Sequence, residues 1–283
     1  MPVSALIWVD GEPASALPLP DRGLDFGDGL FETLLLWRGV PQFNEFHLER
    51  LKAGLDTLGF PDCLAQAAAC LTTAAASLEE YDWAALRLTV TRGAGPRGYA
   101  APAEPTPRII VTAAPLQQDR REVAPSLAVD WAQLRWSSQP VLAGIKHLNR
   151  LEQVMVAREI SQKQVDDLVV LDQQGHVCSL SAGNLFIVES GRLLTPALET
   201  CGIAGTRRRL VQERLASGLS LSVEETHLSP ERLLQSEEVF ACNSIRGFQP
   251  VASLGERQWH KFDTCRQIQQ AYAEAMSCLK NSC

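Results

Sequence analysis

The apolar segment over residues 30–37, turned back at Arg38-Gly39 into residues 40–43, constrains the fold before anything else. A two-residue connection ending in glycine joins two strands as a tight antiparallel hairpin. Residues 5–9, followed by Asp10-Gly11, give a further strand and tight turn by the same reasoning. The period then changes. Phe46, Leu48, Leu51, Leu55 and Leu58 recur at helical spacing, with Asn44 as the expected N-cap and Gly59 as the stop. An alanine-rich helix is predicted over about residues 62–80, and strands over 86–91 and 108–113. Between those strands runs a glycine-rich loop, 92–99, carrying Arg92 and Arg97.

Residues 115–125 are polar and proline-bounded, which reads as a linker between a domain at 1–114 and a larger one at 126–283. The second part is expected to hold strands at 127–131, 167–171, 185–188, 192–194, 219–223 and 238–241. Turns are expected at Gln174-Gly175 and Ser190-Gly191, and helices near 206–216 and 262–278. Hairpins mixed with helices, then a strand-rich half, make the chain α+β. A length of 283 residues suits two domains, and a net charge of -7 argues against nucleic acid and anionic membrane surfaces as partners. The opening residues carry no signal-peptide pattern, so a cytoplasmic protein is expected. Eight scattered cysteines without a C-x-x-C pair read as reduced thiols, and Cys278 and Cys283 lie near an exposed-looking tail. Five separated histidines give no metal spacing.

The run Gly144-Ile145-Lys146-His147-Leu148-Asn149-Arg150-Leu151-Glu152-Gln153-Val154 carries the first chemical signal. Leu148, Leu151, Val154 and Met155 keep helical spacing, so a helix begins near Asn149 and Lys146 stands on the connection entering it. A lysine partly desolvated there gives up its proton more easily, and its free amine can form a Schiff base with a carbonyl. The plain alternative is an exposed lysine.

Cys201-Gly202-Ile203-Ala204-Gly205-Thr206 sets glycines before a helix, where Ala204, Gly205 and Thr206 would offer backbone N–H groups to a phosphate. The arginines that follow, 207–209, read as a solvated face. Asn243-Ser244 adds amide and hydroxyl donors at a turn, with a capping turn as the alternative. Arg50, in an amphipathic helix, is either a surface arginine or an inward fork for phosphate.

Together with Lys146 these residues resemble the fold-type IV pyridoxal-phosphate enzymes, the class-IV aminotransferase family. The likeness runs from Asp21-Arg22-Gly23 through Phe31-Glu32-Thr33 to Pro250-Val251. The 144–153 run and the 91–99 loop resemble the lyase branch of that family, which acts on aminodeoxychorismate and makes 4-aminobenzoate for folate biosynthesis. The resemblance implies an N-terminal α/β sandwich and a C-terminal β-pseudobarrel with helices, enclosing pyridoxal 5'-phosphate in a homodimer. It implies that Lys146 holds the cofactor and shuttles a proton, and that Arg50, Ala204, Gly205, Thr206, Asn243 and Ser244 serve the phosphate. Arg97 is the first candidate for the substrate carboxylates, with Arg92 and His147 behind it. The small-molecule substrate is the partner implied.

One position departs from the pattern. Where the family has a glutamate for the cofactor's pyridine nitrogen, five residues before Asn184, this chain has Ser179. A hydroxyl holds that nitrogen protonated less firmly than a carboxylate does. Transamination should suffer from this more than elimination. The rival readings are a transaminase of branched-chain or D-amino acids and a non-catalytic protein on a vitamin-binding fold. A cysteine hydrolase lacks any cysteine in a helix-start context with a patterned histidine.

Overall fold

The computed structural model describes residues 6–280. Ala5, expected to open the first strand, and Cys283 lie outside them. The chain folds as two compact units, Met1–Asp119 with Ile145–Asn149, and Arg120–Gly144 with Arg150–Cys283. The division at Asp119 falls inside the expected linker. The lysine segment, expected with the second domain, belongs to the first unit.

The first unit is a six-stranded antiparallel sheet in the order β2-β1-β6-β5-β3-β4. Its strands are β1 (Leu6–Val9), β2 (Glu12–Pro13), β3 (Gly29–Trp37), β4 (Val40–Pro41), β5 (Trp83–Thr91) and β6 (Arg108–Leu116). The tight turns form as expected, because Asp10, Gly11, Arg38 and Gly39 all take positive φ, the conformation that twists a two-residue hairpin correctly. A short helix, α1 (Arg22–Phe26), was not foreseen. Helices α2 (Asn44–Thr57) and α3 (Leu64–Ala76) pack on the sheet, and the fully buried Ala67 and Ala74 of α3 let it approach closely. Asn44 does not cap α2 with its side chain. Phe43 precedes the helix in the left-handed region instead, without a side-chain cap. Strand β4 pairs only with Leu36 and Trp37, so the start of β3 keeps an open edge. Residues 145–149 fill it: Phe31 N–H donates to Lys146 O and Leu148 N–H to Gly29 O, both 2.9 Å, and Leu30 bridges His147.

The second unit is a curled sheet in the order β12-β11-β10-β13-β14-β7-β8-β9, with β15 added on β14. These strands are β7 (Leu127–Trp131), β8 (Asp167–Leu171), β9 (Val177–Leu180), β10 (Asn184–Glu189), β11 (Arg192–Pro196), β12 (Val223–Thr226), β13 (Glu238–Asn243), β14 (Gly247–Leu254) and β15 (Arg257–Gln258). The sheet's apolar side gathers Val129, Val169, Leu185, Ile187, Val239 and Val251 into one core. The helices are α4 (Leu151–Lys163), α5 (Thr206–Leu210), α6 (Ala216–Gly218), α7 (Pro230–Gln235) and α8 (Asp263–Lys280). A π-helical turn, Val211–Leu215, joins α5 to α6 in one helical run. The strand expected at 219–223 starts only at Val223. Leu219 N–H still bonds to Ala216 O, and Ser220 is left-handed, so the helix end occupies those residues.

Helix α4 turns its apolar stripe outward: Leu151 is 74% exposed, Val154 60% and Met155 47%, while Val156 is buried. Among the described residues no helix is long and apolar enough to cross a membrane.

Candidate functional site

In the first unit, β3 presents different chemistry on its two faces, as alternation requires. Lys146 is half-buried, its backbone pinned at the β3 edge, and its Nζ lies 4.3 Å from the centre of the Phe31 ring. Phe31 also meets the guanidinium of Arg87, 3.8 Å from the ring centre. Arg87 stands on β5 opposite Thr33, a diagonal neighbour of Phe31. A single cation over such a ring is favoured by roughly 0.5–1 kcal/mol where solvent reaches it.

Glu32, one residue on, points the other way, toward α2. Its Oε1 accepts from Arg50 Nε at 2.8 Å, and its Oε2 meets Arg50 Nη2 at 2.5 Å and His47 Nδ1 at 2.6 Å. Burial alone would raise its pKa, but the Arg50 charge and the two hydrogen-bond partners outweigh it and hold the carboxyl down at about 2. Arg50 is therefore inward, as one reading required, with its fork closed on a carboxylate.

The substrate arginines sort differently from expectation. Arg92 is buried and committed: Nε to Asp28 at 2.8 Å, Nη1 to Gly59 O at 3.0 Å, Nη2 to Leu58 O at 2.7 Å, over the Phe60 ring. With each of its three nitrogens bonded within the first unit, Arg92 is a strut of the fold and not the substrate ligand expected of it. Arg97 is exposed, on a loop held from below by buried Arg22, which donates to the carbonyls of Gly98, Tyr99 and Ala100. His147 is half-buried beside Lys146. Arg87 was missed by the sequence reading. It is exposed, and among the described residues no carboxylate pairs with it. A strand arginine in Leu86-Arg87-Leu88 reads as a solvent-facing alternation. Its cross-strand position beside Phe31 is the signal, and only the register supplies it.

In the second unit the 201–206 loop leads into the helical run. Its shape is fixed by Gly144 N–H to Gly202 O at 3.1 Å, Ala204 N–H to Gly144 O at 3.0 Å, and Asn184 Nδ2 to Ile203 O at 2.9 Å. The Ala204 amide hydrogen is thus spent within the loop, which makes Gly205 and Thr206 the leading donors of the helix. Gly205 must be glycine because a Cβ there would sit 1.9 Å from Asn184 Oδ1. Thr206 Oγ1 and Ser244 Oγ are 3.1 Å apart, giving two hydroxyls beside those amides. This donor set suits a phosphate. Asn243 takes its bland reading: Oδ1 accepts from Ile245 and Arg246 N–H at 3.0 and 2.8 Å, which shapes the turn that presents Ser244.

The arginine run is not a solvated face. Arg207 is buried with Nε on Tyr272 Oη at 3.0 Å, and Arg208 reaches Pro196 O at 3.0 Å and Glu225 at 2.9 Å. Arg209 alone of the three is paired at the surface, with Glu213. Ser179, on β9, is buried, and its Oγ accepts from Trp136 Nε1 at 2.9 Å while donating to Leu180 O at 2.8 Å. No group of His, Cys, Asp or Glu among the described residues could hold a metal ion. Burial raises the pKa of the thiols of Cys63, Cys70, Cys242 and Cys265, the reverse of an activated nucleophile.

A family model for class IV amino-transferases matches residues 29–254. The chain is 35% identical to an aminodeoxychorismate lyase from Vibrio harveyi, over 88% of this chain and 91% of that one. A crystal structure of 4-amino-4-deoxychorismate lyase from Pseudomonas aeruginosa superposes with a TM-score of 0.87 at 38% identity, covering 95% of this chain and 98% of the other. A branched-chain aminotransferase from Escherichia coli shares the fold, with a TM-score of 0.83 at 22% identity over 96% and 94% of the two chains. The chain belongs to the class IV amino-transferase family.

Proposed function

We propose that this protein binds pyridoxal 5'-phosphate and eliminates pyruvate from 4-amino-4-deoxychorismate, leaving 4-aminobenzoate. The observation that carries this reading is Lys146, fixed by its backbone to the edge of β3, in a chain with extended identity to such lyases. When bound, the cofactor supplies an electron-poor ring that takes up the electrons freed at the amine-bearing carbon.

The residues divide the remaining work. Lys146 would hold the cofactor through its side-chain amine, and that same amine is the group proposed to take the proton from that carbon. Enolpyruvate departs from the adjacent carbon and is protonated to pyruvate as the six-membered ring becomes aromatic. The Gly205 and Thr206 amides with the Thr206 and Ser244 hydroxyls would hold the phosphate, and Arg50, its charge balanced by Glu32, is the guanidinium proposed to orient toward it. Ala204 and Asn243 shape the loops that present these donors. Arg97 and Arg87 face the two substrate carboxylates as charge partners. Ser179 serves the ring nitrogen and favours elimination over amino transfer. Replacing Arg87 with alanine is expected to raise KM about tenfold, the loss of one charge-assisted hydrogen bond.

Supplying 4-amino-4-deoxychorismate to the purified, cofactor-loaded protein tests the proposal. Equal yields of pyruvate and 4-aminobenzoate are expected. Amino transfer from a donor to a 2-oxo acid, with no pyruvate released from the chorismate derivative, would point instead to the aminotransferase reading.

The exposed Leu151, Val154 and Met155 on α4 support a homodimer, since an apolar patch of that kind marks an interaction surface. Leu151→Glu with Val154→Glu is expected to shift the protein to half its mass in sedimentation equilibrium. An unchanged mass would place the contact elsewhere. The free thiols suit a reducing, cytoplasmic setting.

A further inference from the structure

We infer that Trp136 is a positioning residue that fixes Ser179 as a hydrogen-bond acceptor toward the cofactor's ring nitrogen. The inference deepens the proposed function and rests on it, because Ser179 meets that nitrogen only in the cofactor reading.

A serine hydroxyl has one hydrogen and two lone pairs, and it normally rotates to suit whatever ligand arrives. Ser179 has lost that freedom. Its hydrogen is directed at Leu180 O, 2.8 Å away, and one lone pair receives the Trp136 indole N–H at 2.9 Å. Both side chains are buried, Trp136 at 3% and Ser179 at 7% exposure, so no bulk water competes for these bonds. Only a lone pair is left to face a further partner.

The residue is held on both sides: the Trp136 backbone N–H donates to Leu171 O at 2.9 Å, and its backbone carbonyl accepts from Gln173 Nε2 at 3.0 Å. Its ring packs with Val156, Leu168, Val170 and Cys178. An indole nitrogen only donates, so it cannot exchange roles with the serine. The consequence is chemical. An acceptor-only oxygen bonds a protonated ring nitrogen and repels the lone pair of an unprotonated one. Trp136 therefore lets a neutral hydroxyl do part of what a carboxylate does at this position, without its charge. Without the indole the hydroxyl could turn and donate, which would favour the unprotonated ring and weaken the electron sink.

The test reads the nitrogen directly. Pyridoxal phosphate labelled with 15N in the ring is bound to the native protein, to Trp136→Phe and to Ser179→Ala, and its NMR shift is followed against pH. The native midpoint is expected to be the highest. Trp136→Phe should lower it by about one pH unit, roughly a tenfold change in the protonation equilibrium. Ser179→Ala should lower it at least as far. A midpoint unmoved in Trp136→Phe but lowered in Ser179→Ala overturns the role of Trp136 and leaves the cofactor reading standing. A midpoint unmoved in both overturns it together with the assignment of Ser179. Failure of the native protein to bind the label at all removes the underlying function.

A second measurement does not depend on the folding of a tryptophan variant. Hydrogen exchange of the Trp136 indole N–H should quicken about tenfold in Ser179→Ala, whose loss of one oxygen is small. Unchanged exchange there means the bond does not hold the hydroxyl, and the inference falls.

Discussion

Lys146→Ala is expected to lower turnover of 4-amino-4-deoxychorismate by about 10³-fold or more, the scale of losing the acid–base group and covalent anchor proposed at this position. The fold should survive. The bonds that tie residues 145–149 to β3 are backbone bonds, Phe31 N–H to Lys146 O and Leu148 N–H to Gly29 O, and alanine keeps both. Among the contacts the variant loses is that of the Lys146 amine with Phe31, 4.3 Å from the ring centre and worth under about 1 kcal/mol. Thermal unfolding should therefore shift little while activity collapses, which separates chemistry from stability. Borohydride reduction of the loaded native protein, followed by peptide mapping, supplies the independent check. The cofactor should be fixed at position 146. A label at another lysine, or full turnover in the alanine variant, would defeat the assignment.

Lys146 stands out as a candidate in the sequence, and Arg87 does not. The lysine is announced by residues next to it in the chain, and the turns at Asp10-Gly11, Arg38-Gly39 and Ser190-Gly191 are likewise local. Each needs positive φ, and the residue types present show it. The 205–206 loop is local in the same sense. Arg87 and Arg92 look alike along the chain, five residues apart in one strand-and-loop stretch. What distinguishes them is long-range: Asp28 and the carbonyls of Leu58 and Gly59 consume Arg92, while the β3–β5 register leaves Arg87 stacked on Phe31. The Trp136–Ser179 bond spans a sequence separation of 43 residues and leaves no pattern in either neighbourhood. The α4 stripe predicts its helix but not what the apolar face meets. Helical periodicity reports an apolar face, and it is silent on whether that face meets the chain's own core or another surface.

Removal of the Glu32 carboxylate should have the largest effect on stability. Glu32→Gln keeps the shape but leaves Arg50 facing a neutral amide where the native carboxylate has only 1% of its side chain exposed. Breaking a buried ion pair from one side costs about 3–5 kcal/mol, because the remaining charge stays desolvated without compensation. For a chain of this size that corresponds to a fall in Tm of roughly 6–15 °C. The pH dependence has a definite sign. The folded carboxyl titrates at about 2 against an ordinary 4.5, so its contribution is fully present above about 4.5 and is lost as pH falls toward 2. Urea unfolding of native protein and Glu32→Gln, run at neutral pH and again stepwise below pH 4.5, should show two curves that converge as acid is added. The charge on Arg50 persists throughout this range, so convergence reports protonation of the carboxyl and the loss of its bonds to Arg50 and His47. A gap that stayed constant down to pH 3 would mean that Glu32 contributes through packing and hydrogen bonding alone, and that Arg50 is held on α2 without its charge partner.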